Sequence, residues 1–212
     1  MNKVLISLIT ITLLSGCKVE LAPTVNLSDL NSETAQKARS KLIVSVTNCN
    51  DYRNPQNESA DITNAKKTVS KVFSQAIYLK CYKDNIISKA VFEVPIIVGG
   101  KSRNEGIQIR NTDTGGGMIV EMSDNFKQKI NKASKSAFSK LSSDIYITVN
   151  NDLNKDQDII AHAVYLDGKP TLVARYTLKP GNHTFKLSDV SISSIFSNGS
   201  ALVYEDANKQ YQ

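Results

Sequence analysis

Hydrophobic positions along this chain form one unbroken run at the start and recur at changing periods afterwards. Val4 to Leu14 reads VLISLITITLL without a charge, directly behind Lys3. A basic start followed by about 7–15 apolar residues is the layout of a secretory signal peptide, and such a run is too short for the roughly 20 residues a bilayer span requires. Residues 18–40 (KVELAPTVNLSDLNSETAQKARS) are polar with few large apolar side chains, and read as a tether. Lys41 to Thr47 (KLIVSVT) is rich in β-branched residues and predicts a strand, closed by an Asn/Asp/Pro-rich loop over Asn50 to Glu58. From Asp61 to Ala76 the period changes. Ile62, Ala65, Val69, Val72, Phe73 and Ala76 recur at helical spacing, with Lys66, Lys67 and Lys71 on the other side.

Two strands are expected next, Ala76 to Lys83 and Ile87 to Val98, the second bulged or at a sheet edge because Pro95 lacks a donor. Gly106 to Arg110 and Met118 to Met122 predict a hairpin around Thr112-Asp113-Thr114-Gly115-Gly116-Gly117. A glycine triplet cradles phosphate when a helix follows it; here a strand follows, so these are turn residues. Asp124 to Leu141 is the clearest helix, with Phe126, Ile130, Ala133, Ala137 and Leu141 on one stripe and Ser123 or Asp124 as its cap. After it come strands only: Ile145 to Asn150, Ile159 to Asp167, Thr171 to Leu178 and His183 to Leu187. Turns fall at Asp167-Gly168 and Pro180-Gly181, then a helical turn at Val190 to Phe196 and a strand at Ala201 to Tyr204.

The expected fold class is therefore α+β. A mixed half over 41–141, with two helices on an antiparallel sheet, precedes a small sandwich-like all-β half over 142–212 packed on it. The composition agrees with a globular chain: 212 residues, 41% hydrophobic, 22% charged and a net charge of +6. Disorder and coiled coil are excluded by it, and three cysteines are too few for a disulfide miniprotein.

The end of the apolar run is more specific. Leu14-Ser15-Gly16-Cys17 resembles the lipobox of bacterial lipoproteins. That resemblance implies a signal peptide over 1–16, cleavage before Cys17, and a diacylglyceryl group on the Cys17 thiol, with residues 17–40 as lipidated N-terminus and tether. Two or more acyl chains anchor a protein stably. Lys18 stands where an aspartate would favour inner-membrane retention, so the implied location is the cell envelope, at the outer membrane facing the periplasm. With Cys17 set aside, Cys49 and Cys81 remain as an even pair in an oxidising compartment. A bridge closing about 33 residues would contribute roughly 3–4 kcal/mol on the chain-entropy model. The alternative is two free thiols.

Candidate chemistry is sparse. The two histidines are His162, in the apolar segment DIIAHAVYL, and His183, in the turn PGNHT; the sequence contains no HExxH and no GxSxG. No cofactor or catalytic residue is expected. Asp152-x-Asn154-x-Asp156-x-Asp158 has the alternate oxygen spacing of the first half of a calcium loop. Gln157 replaces the sharp-turn glycine and Ala163 stands in place of the bidentate glutamate, so a plain loop is the competing reading. Lys127, Lys129, Lys132, Lys135 and Lys140 make one helix face basic, either solvated or in contact with anionic headgroups. No nucleic-acid motif is present.

Ser15 to Val19, Asn26 to Leu30, the Cys49/Cys81 pair and Val149 to Asp152 together resemble a family of small lipoproteins of bacterial genomes and prophages. The resemblance implies no catalytic residue. The expected partners are membrane lipid, through acylated Cys17, and an envelope protein. The expected function is a binding module, for instance one that blocks a phage receptor. A structural component of an envelope complex and an enzyme acting on glycan or lipid are the alternatives.

Overall fold

The computed structural model describes residues 18–102, 105–135 and 142–209. In chain order the elements are β1 (Lys18–Ala22), β2 (Thr24–Asn26), α1 (Leu27–Leu30), β3 (Gln36–Val46), α2 (Ala60–Val72), β4 (Ile77–Asp84) and β5 (Ile87–Val98). There follow β6 (Ile107–Asn111), β7 (Gly117–Met122), α3 (Asp124–Lys135), β8 (Ser142–Asn151), β9 (Gln157–Leu166), β10 (Lys169–Leu178), β11 (Gly181–Leu187), α4 (Asp189–Asn198) and β12 (Ser200–Asp206).

All twelve strands belong to one mixed sheet, in the order β1-β3-β5-β6-β7-β12-β9-β11-β8-β2, with β4 on β5 and β10 on β9. β1 also pairs β8 in parallel, so the path of pairings returns to its start. The period-2 strands bury one face: Ala90, Phe92, Val94, Ile96 and Val98 of β5, and Ile145, Ile147 and Val149 of β8. These side chains meet Leu21, Ile62, Met118, Phe185, Ile195 and Val203 in one apolar cluster.

That single core overturns the expected split into a helix-on-sheet half and a separate sandwich. Strand existence after residue 41 follows the sequence pattern closely; strand partners do not, because the pairings cross position 142. β12 pairs β7 and β1 pairs β8. The segment 18–40 is woven into the sheet as β1, β2 and the start of β3 instead of hanging free.

Two irregularities shape the sheet. β10 occupies one edge of β9 along its whole length, so β12 and β11 divide the other edge. They meet it on either side of Ala163, which holds φ 46, a left-handed value that costs a non-glycine residue. The buried set of β9 switches there from Ile159 and Ala161 to Val164 and Leu166. The Ala163 carbonyl accepts from Ser188 N at 3.2 Å and Ser191 Oγ at 3.0 Å. Pro95 lies neither in a bulge nor on an edge strand: Arg39 pairs it without a register break, and on its other side β4 ends at Glu93 and β6 begins at Ile97. The missing donor coincides with that gap.

α2 is capped by Ser59, whose hydroxyl accepts from Ile62 N at 3.2 Å. It packs on α3 through Phe73 and Phe126, whose rings lie 4.9 Å apart edge to face. α4 buries Ile192 and Ile195 and ends on Gly199 at φ 89, a left-handed cap.

Cys49 and Cys81 form a disulfide with a Cα–Cα distance of 5.6 Å, tying the chain just beyond β3 to β4 across α2. For a sequence separation of 32, the chain-entropy account assigns it about 3–4 kcal/mol. Replacing both cysteines by alanine is expected to lower the thermal midpoint by roughly 6–16 °C in scanning calorimetry. An unchanged midpoint would show that the loop is held by other contacts.

Candidate functional site

Cys17, the expected lipidation residue, lies outside the described residues, as do Lys140 and the signal-peptide segment. The structure does place the residue that follows it. Lys18 opens β1, and its Nζ is 2.7 Å from Asp144 Oδ2 on β8. Asp144 is buried and receives a second cation, Lys186, at 3.6 Å. Burial works to raise the Asp144 carboxyl, but the Lys18 and Lys186 ammonium groups outweigh it and hold it below the usual carboxylate range. Lys186 also sits 5.3 Å over the Tyr146 ring and 5.7 Å over Tyr165. The chain thus meets the folded body immediately after position 17.

The loop behind the disulfide is locally ordered. Asp51 Oδ1 accepts from Arg53 N at 2.7 Å, Asn50 bridges Glu58, and Lys66 pairs with Glu58 at 2.6 Å while lying 4.0 Å over the Tyr78 ring. Tyr52 projects from this loop 79% exposed, with the Arg53 guanidinium stacked on it.

The spaced acidic residues do not converge. Asp152 turns toward α1 and accepts from the Ser28 amide at 3.0 Å and the Ser28 hydroxyl, bonds that lower its carboxyl. Asp158 accepts from Thr177 Oγ1 at 2.6 Å, and Asn154 takes φ 54 in the turn. Among the described residues no group of three His, Cys, Asp or Glu side chains could hold a metal ion. The alternate spacing is a capping loop, with Asp152 satisfying a helix N-terminus 124 residues away.

The histidines part company. His183 Nδ1 is 2.9 Å from Asp167 Oδ2 and its Nε2 is 2.9 Å from the Lys179 carbonyl. Asp167 also accepts from Tyr176 OH at 3.1 Å and the Thr184 amide at 2.7 Å. Burial favours the protonated acid there, yet those hydrogen bonds prevail and lower the carboxyl. The cluster locks the Asp167-Gly168 hairpin turn, whose φ values of 47 and 80 only a polar residue and a glycine take readily. His162 leaves its buried Nε2 without a hydrogen bond, 3.7 Å from Glu205.

Arg110 was not singled out by the sequence pattern. Only 4% exposed, its guanidinium forks onto Glu121 at 2.9 and 2.7 Å, and reaches Asp113 at 2.7 Å and the Asn111 carbonyl at 2.8 Å. It pins the β6–β7 hairpin, whose Gly117 has no room for a Cβ beside the Tyr204 carbonyl. On α3, Lys127 pairs with Asp124 at 2.6 Å, while Lys129 and Lys132 are exposed.

Among the described strands, two of the longer ones keep an edge open, as does the three-residue β2, which pairs β8 alone. β4 pairs β5 alone, with a bulge at Leu79, and leads into the two-residue turn Asn85-Ile86. β10 pairs β9 alone for ten residues, with Leu172 82% and Val173 63% exposed. An unpaired strand edge beside exposed apolar side chains presents free backbone donors and acceptors on which another chain can pair.

A disulfide-stapled, mostly β chain whose polar clusters fasten turns and termini is a scaffold that presents edges. The chain belongs to the family described as Domain of unknown function (DUF7424), which matches residues 19–209. Neither the curated proteins nor the solved structures compared with the chain give a match.

Asp144, Asp152 and Asp167 shape the acid response. All three carboxyls are lowered in the folded state, so the stability they contribute is complete above the ordinary carboxylate value near 3.9 and is lost as pH falls through the folded values. Urea midpoints are expected to hold from pH 7 to about 5 and to drop below about 4, more gently in Asp167→Asn, whose stability at neutral pH is already reduced. Titration calorimetry with millimolar calcium is expected to give no binding heat, and a heat lost in Asp152→Asn would contradict the capping assignment.

Proposed function

We propose that this protein is a lipid-anchored envelope protein that works as a binding module, held at the periplasmic face of the outer membrane through acylated Cys17. The lipobox-like Leu14-Ser15-Gly16-Cys17 segment supports the anchor. The observation that carries the binding role is β10. Successive residues of a strand point to opposite faces, so Leu172 and Val173 place apolar surface on both sides of an edge that pairs with no other described strand. Lys169, Pro170 and Arg175 stand along it, residues that discourage indiscriminate edge-to-edge pairing. An edge of this kind accepts one extended segment from a partner, with backbone hydrogen bonds supplying affinity and flanking side chains supplying choice.

The partner this reading favours is another envelope protein. Similarity to prophage lipoproteins makes a phage receptor, shielded by the bound module, the leading instance. A photo-crosslinking residue at position 172 is expected to join the protein to one discrete envelope protein in intact cells. The adduct should disappear when Val173→Glu is added, and also in Cys17→Ser. An adduct indifferent to both changes would overturn the proposal.

A further inference from the structure

The register of the sheet shows which end of the body carries the start of the chain. Val19 pairs Val44, Val44 pairs Ala90, and Ala90 pairs Cys81, so these four lie in one row across β1, β3, β5 and β4. β1 begins one residue beyond that row, at Lys18. On β5 the same direction leads from Ala90 through Lys89 and Ser88 to Ile87 and the turn residue Ile86. Ile86 therefore stands four residues past the row, on the order of 13 Å at about 3.3 Å per residue. The β4–β5 turn projects from the end at which the chain enters the sheet, and reaches farther out than Lys18 does.

That turn is unusual in composition. Two-residue hairpin turns favour Asn, Asp and Gly, and Asn85 at φ 54 fits, but its neighbour is a β-branched isoleucine that is 89% exposed. Ile87 is also exposed, and Tyr82 flanks the turn from β4. Between Ile77 and Ala90 the hairpin holds three lysines against one aspartate: Lys80 lies 5.4 Å over the Tyr82 ring, Lys83 is exposed, and Lys89 pairs with Asp84 at 2.8 Å. Apolar side chains at a tip with lysines behind them match a phospholipid surface, where isoleucine enters the acyl boundary and ammonium groups meet phosphate. The disulfide adds to this arrangement. It fastens the Tyr52–Arg53 loop, which leaves β3 at the same end, to the strand that carries the tip.

We propose that the β4–β5 turn, through Ile86 and Ile87 with Lys80 and Lys83 behind them, is a second membrane foothold that rests on anionic phospholipid. The proposal builds on the lipid-anchor reading above. With Lys18 clamped to Asp144 and no slack between position 17 and β1, a lipid at Cys17 would bring this end of the sheet against the bilayer. The two footholds would set the orientation of the body.

The chain contains no tryptophan, so Ile86→Trp in the full chain creates a unique reporter. Reconstituted in phosphatidylethanolamine/phosphatidylglycerol vesicles, its emission is expected to shift to the blue and to be quenched by brominated lipid. Gln36→Trp, exposed at the other end of β3 and eight residues from Val44, is the reference and should show neither change. Equal emission and quenching at the two positions would overturn the foothold, including the case in which the tip meets a protein instead. The anchor is read separately, from the mass of Cys17 and from flotation of the wild-type chain. In the full-length Cys17→Ser chain the tip should still bind phosphatidylglycerol vesicles, weakly and in a salt-sensitive way, and Ile86→Asp should weaken that binding about tenfold or more. A Cys17→Ser chain whose vesicle binding is unaffected by Ile86→Asp would refute the proposal whatever the anchor does.

Discussion

The strand that opens at Lys18 is bonded along both of its edges, antiparallel to β3 on one side and parallel to β8 on the other. Everything else in the sheet is arranged so that this one strand can close the circuit. Without it, β3 and β8 would each present a bare edge along the paired residues, and the core would lose Leu21. β2 continues the closure after Pro23, whose carbonyl accepts from Thr148 N at 2.9 Å. The Lys18–Asp144 ion pair locks the strand at its first residue, in a buried position where an unpartnered carboxylate would be costly.

The polar chemistry serves that closed body. Asp152 finishes the end of α1, Asp167 and His183 lock a hairpin, and Arg110 binds the two carboxylates that hold the glycine-rich turn. Each of these groups spends its hydrogen-bonding capacity inside the protein. Among the described residues, the strand edges of β4 and β10 keep such capacity, with backbone donors and acceptors beside exposed aliphatic side chains.

Much of the local structure was legible because period-2 and period-3.6 patterns are local properties. β5 begins and ends where Ile87 to Val98 suggested, and α2, the β6–β7 hairpin and β8 to β12 lie close to their expected ranges. What failed was long-range. Val19, Leu21, Val25 and Leu27 do alternate, yet within a polar segment four apolar residues look like a tether until β3 and β8 are present to cover them. The two-domain division failed for the same reason: one hydrophobic residue looks like another, and nothing in β12 announces that it returns to β7. The cysteines were legible because removing Cys17 left an obvious pair. Ile86 carried its own signal, an apolar residue where a turn wants a polar one, but its meaning depends on register and so on the fold.

The closure of the sheet also sets an order of events. A protein chain is delivered from its N-terminus, so the strand at residues 18–22 appears before its parallel partner at 142–151, which follows more than a hundred residues later. For that interval the first strand has β3 on one side and an open edge on the other. The loop to be closed is long, and non-local pairings of this kind are slow to form. The closure between β1 and β8 is therefore the last to be sealed. Until it is, a nascent chain carries a sticky, half-paired strand at residues 18–22, and needs either speed or a companion to bring β8 home.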